Sequence, residues 1–135
     1  MMKNILVLGL ALGLATTVQA DPAAYLLATE GTVFVTRAAT GKKVIVSQGS
    51  ALEGGDTVQT ERESTARVRF TDGAELALRP NSNLQIQNYV FNEQKPEQDS
   101  LILRLFKGGL RQISGAIAHR GNPDAYRLHS PTATI

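Results

Sequence analysis

The chain has no cysteine and no tryptophan, and aromatic residues make up only 5% of its 135 positions. Without cysteine there is no disulfide framework, no thiolate zinc site, no thiol nucleophile and no lipid-modified N-terminal cysteine. Charge excess is equally scarce, with 14 Lys and Arg against 12 Asp and Glu. So small a surplus, with few aromatics, is a poor footprint for nucleic acid, and no nucleic-acid partner is expected. No apolar run after the first twenty residues approaches the eighteen or so needed to span a bilayer. The length is that of one domain, which excludes a multidomain enzyme.

What is present begins with an address. Met1 to Asn4 form a short basic start, Ile5 to Val18 carry no charge, and Val18-Gln19-Ala20 offers small residues where a signal peptidase reads. Fourteen uncharged residues rise only about 21 Å as helix, short of the ~30 Å hydrocarbon core. The expected organisation is therefore a signal peptide at 1–20, cleaved after Ala20, followed by one β domain at 21–135. Loss of Lys3 with the leader brings the mature chain close to neutrality. A bacterial-type leader implies a periplasmic or secreted protein with no stable membrane span once it is cleaved.

Glycine punctuates the mature chain at Gly31, Gly41, Gly49, Gly54, Gly55 and Gly73, and Val, Thr, Ile and Phe alternate with polar residues between them. Period-two alternation between glycine turns predicts an all-β domain of short strands. Val33 and Val35 pair naturally with the Val44–Val46 run across a turn at Thr40-Gly41-Lys42. Leu52 leads into a Gly54-Gly55-Asp56 turn that hands over to Thr57-Val58-Gln59-Thr60.

The register of the hairpin from Thr65 to Arg79 follows from parity. A two-residue loop at Asp72-Gly73 would place charged and apolar side chains on the same face. A three-residue loop, Thr71-Asp72-Gly73 with a left-handed Gly73, pairs Phe70 with Ala74, Val68 with Leu76 and Ala66 with Leu78. Val68, Phe70, Leu76 and Leu78 then share one apolar face, while Arg67, Arg69, Glu75 and Arg79 share a wet one, with Arg69 opposite Glu75. Burial of those four apolar side chains is worth on the order of 6 to 10 kcal/mol before entropy, so a charge at Val68 or Phe70 is expected to unfold the domain.

Farther on, Asn81 to Asn83 reads as a polar turn, and Leu84 and Ile86 alternate with Gln85 and Gln87 before Tyr89-Val90-Phe91. Asn92 to Asp99 is wholly polar and is expected to be a mobile loop. Leu101, Leu103 and Leu105 restart the alternation. A helix over Ser100 to Ala118 would carry Gly108, Gly109 and Gly115 at ~1 kcal/mol each, which favours two strands joined at Gly108-Gly109. Tyr126 and Leu128 form another alternating pair, and Ala133-Thr134-Ile135 begins a further β-like run.

No catalytic constellation is legible, and neither an enzyme nor a cofactor is expected. His119 and His129 lack both metalloprotease spacing and an accompanying Glu, and Gly-x-Ser-x-Gly, a Gly-rich phosphate loop and Gly-x-Gly-x-x-Gly are all missing. Asp56, Asp72 and Glu75 could supply an acid/base pair of the kind used in glycoside cleavage, but their turn and pairing positions favour structural roles. The arginine-bearing face of Arg67, Arg69 and Arg79 suits phosphate or carboxylate groups of an anionic glycan, lipopolysaccharide or acidic partner.

Three ordered stretches carry a family resemblance: Gly31-Thr32-Val33-Phe34-Val35-Thr36-Arg37, then Leu52 through Gly54-Gly55-Asp56 to Thr60, then Ala66 through Asp72-Gly73 to Ser82. With the later Phe106-Lys107-Gly108-Gly109-Leu110-Arg111 and Ser130-Pro131-Thr132-Ala133-Thr134-Ile135, this series resembles the FecR domain. The resemblance implies an exported, non-catalytic all-β module, a short-strand curled sheet or a solenoid-like or sandwich domain, used for sensing or for contact with an envelope protein; Gly31, Gly55, Asp56, Asp72 and Gly73 are read as shaping its turns. In that family the last stretch usually runs on into Gly-x-Arg-Gly-Thr, so the chain reads as incomplete at its C-terminal end. Known members hold a sigma factor through a cytoplasmic segment; only four residues precede the hydrophobic stretch here, so that anti-sigma role is not expected to transfer.

Overall fold

The computed structural model describes residues 21–131. The leader at 1–20 and the β-like run at 133–135 lie outside the described residues. The domain is all-β, 49% strand and 6% helix, with two sheets that do not close into a barrel. In chain order the strands are β1 (Ala24–Glu30), β2 (Val33–Thr36), β3 (Lys43–Ile45), β4 (Ala51–Leu52), β5 (Thr57–Thr60) and β6 (Thr65–Phe70). They continue with β7 (Glu75–Leu78), β8 (Asn83–Val90), β9 (Ser100–Lys107), β10 (Leu110–Ile113) and β11 (Tyr126–His129). One sheet runs β10-β7-β6-β1-β4 and the other β11-β9-β8-β5-β2-β3. All pairings are antiparallel except β9 with β11.

Alternation dictates which side of each strand turns inward. On β6 the residues Ala66, Val68 and Phe70 are buried while Arg67 and Arg69 are exposed; on β7 Leu76 and Leu78 are buried. From the other sheet Val33, Val35, Val58, Leu84, Ile86, Leu101 and Leu103 meet them in a single core. Among the described residues this core is a contiguous apolar body that holds the sheets together.

The β6–β7 hairpin has the register that parity predicts: Ala66 opposite Leu78, Val68 opposite Leu76 and Arg69 opposite Glu75. Its loop is closed by Phe70 N–H to Ala74 O at 2.8 Å and Gly73 N–H to Phe70 O at 3.0 Å. Gly73 takes φ of 93°, a left-handed conformation open to glycine without strain. One detail differs on the wet face. The ion pair to Glu75 comes from Arg67 Nη2 at 3.4 Å, from the diagonal rather than the directly opposite position. Diagonal neighbours lie within reach of so long a side chain.

The β2–β3 hairpin also forms, with Val35 opposite Val44. Gly31 and Gly55 occupy their expected turns at φ of 69° and 93°. Past Ile86 the ladder between β8 and β9 shifts register between Ile86 and Asn88. The shift breaks the simple parity of the run, leaving Asn88 and Val90 exposed and Tyr89 partly buried.

Gly108-Gly109 joins two strands as expected, with β9 in the six-stranded sheet and β10 in the five-stranded one. The glycine pair is where the chain crosses between sheets. Ser82 Oγ accepts from Gly109 N–H at 3.0 Å and donates to Gly109 O at 3.1 Å. A Cβ on Gly108, whose φ is 87°, would lie 2.5 Å from the Ser82 Cα, which is why the crossing needs glycine.

The polar segment from Asn92 to Asp99 is fastened rather than loose. Arg120 donates to both oxygens of the buried Asp99, at 2.8 and 3.1 Å, and to the carbonyls of Glu93 and Asn92 at 3.0 and 2.7 Å. Its guanidinium also lies 4.8 Å from the Phe91 ring centroid. One planar cation thus satisfies a carboxylate and two carbonyls at once, which only an arginine fork can do.

Candidate functional site

The buried carboxylates come first, because a free one would be a candidate acid or base. Asp56, 2% exposed, accepts from Ala38 N at 3.0 Å, Glu53 N at 2.9 Å and Arg37 Nη1 at 3.0 Å. It thereby ties the Gly54-Gly55 turn to the loop that leaves β2. Asp72 accepts from Ala74 N at 3.0 Å and from Ile117 N at 3.1 Å. Asp99 belongs to Arg120. Glu75, the third carboxylate of the suggested acid/base set, sits on the outer face against Arg67. The geometry does not bring Asp56, Asp72 and Glu75 together as a catalytic pair; it spends the first two on loop backbones. Among the described residues no group of three or more His, Cys, Asp or Glu could hold a metal ion.

Two tyrosines are tuned by burial. Tyr126 donates to Gln112 Oε1, and its loss of solvent pushes its pKa up to about 12, with a smaller upward push from Asp72. Tyr89 is raised for the same reason, although its bond to Thr71 works the other way. Both act as hydroxyl braces between elements. Tyr89 also accepts from Asp72 N–H at 3.0 Å and packs against Phe70 with ring centroids 5.6 Å apart.

The surface is where unspent chemistry lies. On the outer side of the five-stranded sheet, alternation aligns Arg67 and Arg69 of β6 with Glu75 and Ala77 of β7 and with Arg111 and Ile113 of β10. Tyr25 of β1 stands opposite Arg69, 43% exposed. Arg79 lies just past the end of β7, where its Cδ would be 3.3 Å from a Cβ on Gly109. The arginine face is therefore Arg67, Arg69 and Arg111, with Arg79 at its margin. Arg111 escaped the sequence reading because its facing depends on β10 pairing with β7 across a sheet crossing.

At the opposite rim, β3 ends the six-stranded sheet, with Lys43, Val44 and Ile45 all exposed and Ile45 at 72%. Bonds from Arg37 N–H to Lys42 O and from Val46 N–H to Val33 O fix which peptide groups face β2. By the alternation of an antiparallel ladder, the peptide groups of Lys43 and Ile45 point away from the sheet. A third feature is a cleft of about 480 Å³ beside β9 and β11, lined by Gln87, Arg104, Phe106 and His129 among others.

These features define an all-β, two-sheet domain with a consumed interior and three chemically distinct surfaces. No family model, curated protein or solved structure matches this chain. No described helix is long and apolar enough to cross a membrane.

Proposed function

We propose that this chain is an exported, non-catalytic interaction module of the bacterial envelope, similar to the FecR domain, that binds a protein partner in the periplasm. The observation that carries the reading is β3, an edge strand whose Lys43 and Ile45 peptide groups point away from the sheet and whose isoleucine is 72% exposed. Such an edge is a template for an added strand, a common mode of protein recognition. The buried carboxylates support the same reading, since Asp56, Asp72 and Asp99 are bound to loop backbone or arginine and are not free for proton transfer.

The test uses the full chain immobilised and exposed to periplasmic extract. A saturable protein partner should be retained by the wild type and lost on Ile45→Pro, which removes an outward donor while sparing every bond to β2. Retention should survive Arg67→Ser, Arg69→Ser and Arg111→Ser together. Recovery of the intact product in cytosol, or retention indifferent to Ile45→Pro, overturns the proposal. A second reading, an envelope glycan or lipopolysaccharide binder, is favoured by one specific observation: Arg67, Arg69 and Arg111 share the outer sheet face, where Glu75 pairs with Arg67 alone. It requires the triple arginine variant to lose retention on envelope polysaccharide.

A further inference from the structure

Ala77 is the smallest side chain on the outer face of β7, and it stands between two arginines. The ladder places Arg67 of β6 opposite Ala77 on one side and Arg111 of β10 opposite it on the other. Neighbouring strands lie ~4.8 Å apart, so the two arginine Cα atoms are separated by about 10 Å with only a methyl group between them. The result is a trough of about 330 Å³ whose lining includes Arg67, Glu75, Ala77, Arg111, Gln112 and Ile113.

The occupancy of its polar atoms is uneven. Arg67 holds Glu75 by one long, exposed contact at 3.4 Å, an interaction worth little in water. The Arg111 side chain makes no hydrogen bond or ion pair with the described residues. Gln112 turns to the other side of the sheet, opposite the buried Leu76, where its Oε1 accepts from Tyr126. Ile113, 66% exposed, supplies an apolar wall at one end. Two planar cations across a gap, a carboxylate and an apolar side are the groups that recognise a negatively charged sugar. The guanidiniums take the anion, Glu75 takes a hydroxyl, and the isoleucine meets the C–H face of the ring.

We infer that the trough over Ala77 is a binding subsite for an anionic sugar, its phosphate or carboxylate held between Arg67 and Arg111. This rests on the second reading above, envelope glycan binding, and adds the seat and the chemistry of the ligand. It makes Arg111, not Arg79, the decisive partner of Arg67. Nearby Arg69 contributes to the field of the face but stands on the far side of Glu75 from the trough.

The experiment is a titration of the full chain with glucose 1-phosphate and with glucuronate, neutral glucose serving as the reference, followed by calorimetry or by amide shifts. Either anion binding more tightly than glucose supports the subsite, and the better of the two identifies phosphate or carboxylate as the group recognised. Arg111→Gln should weaken binding roughly tenfold, the equivalent of one charge-assisted hydrogen bond. Ala77→Leu should weaken it at least as much by filling the trough with no change of charge, and Arg111→Gln at the exposed edge keeps the test valid if the leucine disturbs the sheet. No preference over glucose, indifference to Arg111→Gln, or an equal loss from Arg69→Gln overturns the subsite. Failure of both sugars while the triple arginine variant still loses polysaccharide retention rejects the trough alone; failure of both assays rejects the glycan reading itself.

Discussion

The carboxylate of Asp72 accepts the backbone N–H of Ile117 at 3.1 Å across 45 residues of chain. Its other oxygen holds Ala74 N–H at 3.0 Å within its own turn. One buried side chain therefore closes the β6–β7 loop and anchors the 3₁₀ segment Ala116–His119, whose Ile117 is fully buried in the core. A second tie, Ala116 N–H to Asp72 O at 3.0 Å, runs in parallel. Gly115 makes the approach feasible, since a Cβ there would lie 2.4 Å from Ala74 N.

Asp72→Ala strips two buried amides of their acceptor and is expected to cost about 2–4 kcal/mol, on the scale of one to two charge-assisted bonds. Asp72→Asn keeps one acceptor oxygen and should cost less. Urea unfolding ranks the two variants, and hydrogen exchange at Ile117 should accelerate before global unfolding in both. Equal exchange in wild type and Asp72→Ala would show the long-range bond to be idle.

Arg120 makes a comparable claim on the segment from Asn92 to Asp99. Its side-chain bond to Asp99, together with their mutual attraction, holds the guanidinium's proton more tightly than usual. The Asp99 carboxylate is fully enclosed on its side. Arg120→Lys supplies a charge but no fork, so the carbonyls of Asn92 and Glu93 lose their donor, and cleavage after Glu93 or Glu97 by a glutamate-specific protease is expected to speed up about tenfold as local opening becomes easier. Arg120→Ala leaves the enclosed Asp99 carboxylate unpaired and should lower the urea midpoint more than Arg120→Lys does, an effect that Asp99→Asn in the same chain should partly reverse.

Contrast between these two anchors shows which parts of the fold are written locally. The β6–β7 hairpin is legible because its apolar and polar positions alternate over a short span, and only one loop length keeps Val68, Phe70, Leu76 and Leu78 on a common face. Asp72 is legible as a turn residue for the same reason. Its partner Ile117 is not, because nothing in 45 residues of intervening sequence states which sheet each later strand joins. Arg120 looks like any other arginine until the fold brings Asp99, Phe91 and two carbonyls to it. The β10 strand illustrates the limit for the candidate site: Leu110 to Ile113 reads as a strand, but Arg111 acquires its place beside Arg67 only through the crossing at Gly108-Gly109. Parallel pairing of β11 with β9 is likewise a long-range choice, made by burial of Leu128 and not by any turn signal.

Alkaline pH should loosen the contact between the two sheets at Tyr126. Folding removes this phenol from water, so the folded chain keeps its proton up to about 12 while an unfolded chain begins to release it near the ordinary tyrosine value of about 10. The folded state thus binds the proton more tightly, and the associated stability is fully present below pH 10 and is lost as pH rises through about 12. Tyr89, also raised by burial, adds to the loss in the same direction. Tyr126→Phe should be somewhat less stable than wild type near neutrality, where the bond to Gln112 is gone, but its stability should fall less steeply above pH 10. Urea midpoints measured across that range, together with the phenolate absorbance of the folded protein, check the sign. A wild-type midpoint unchanged by alkali, or a slope identical in Tyr126→Phe, would place the ionisation of Tyr126 outside the folding equilibrium.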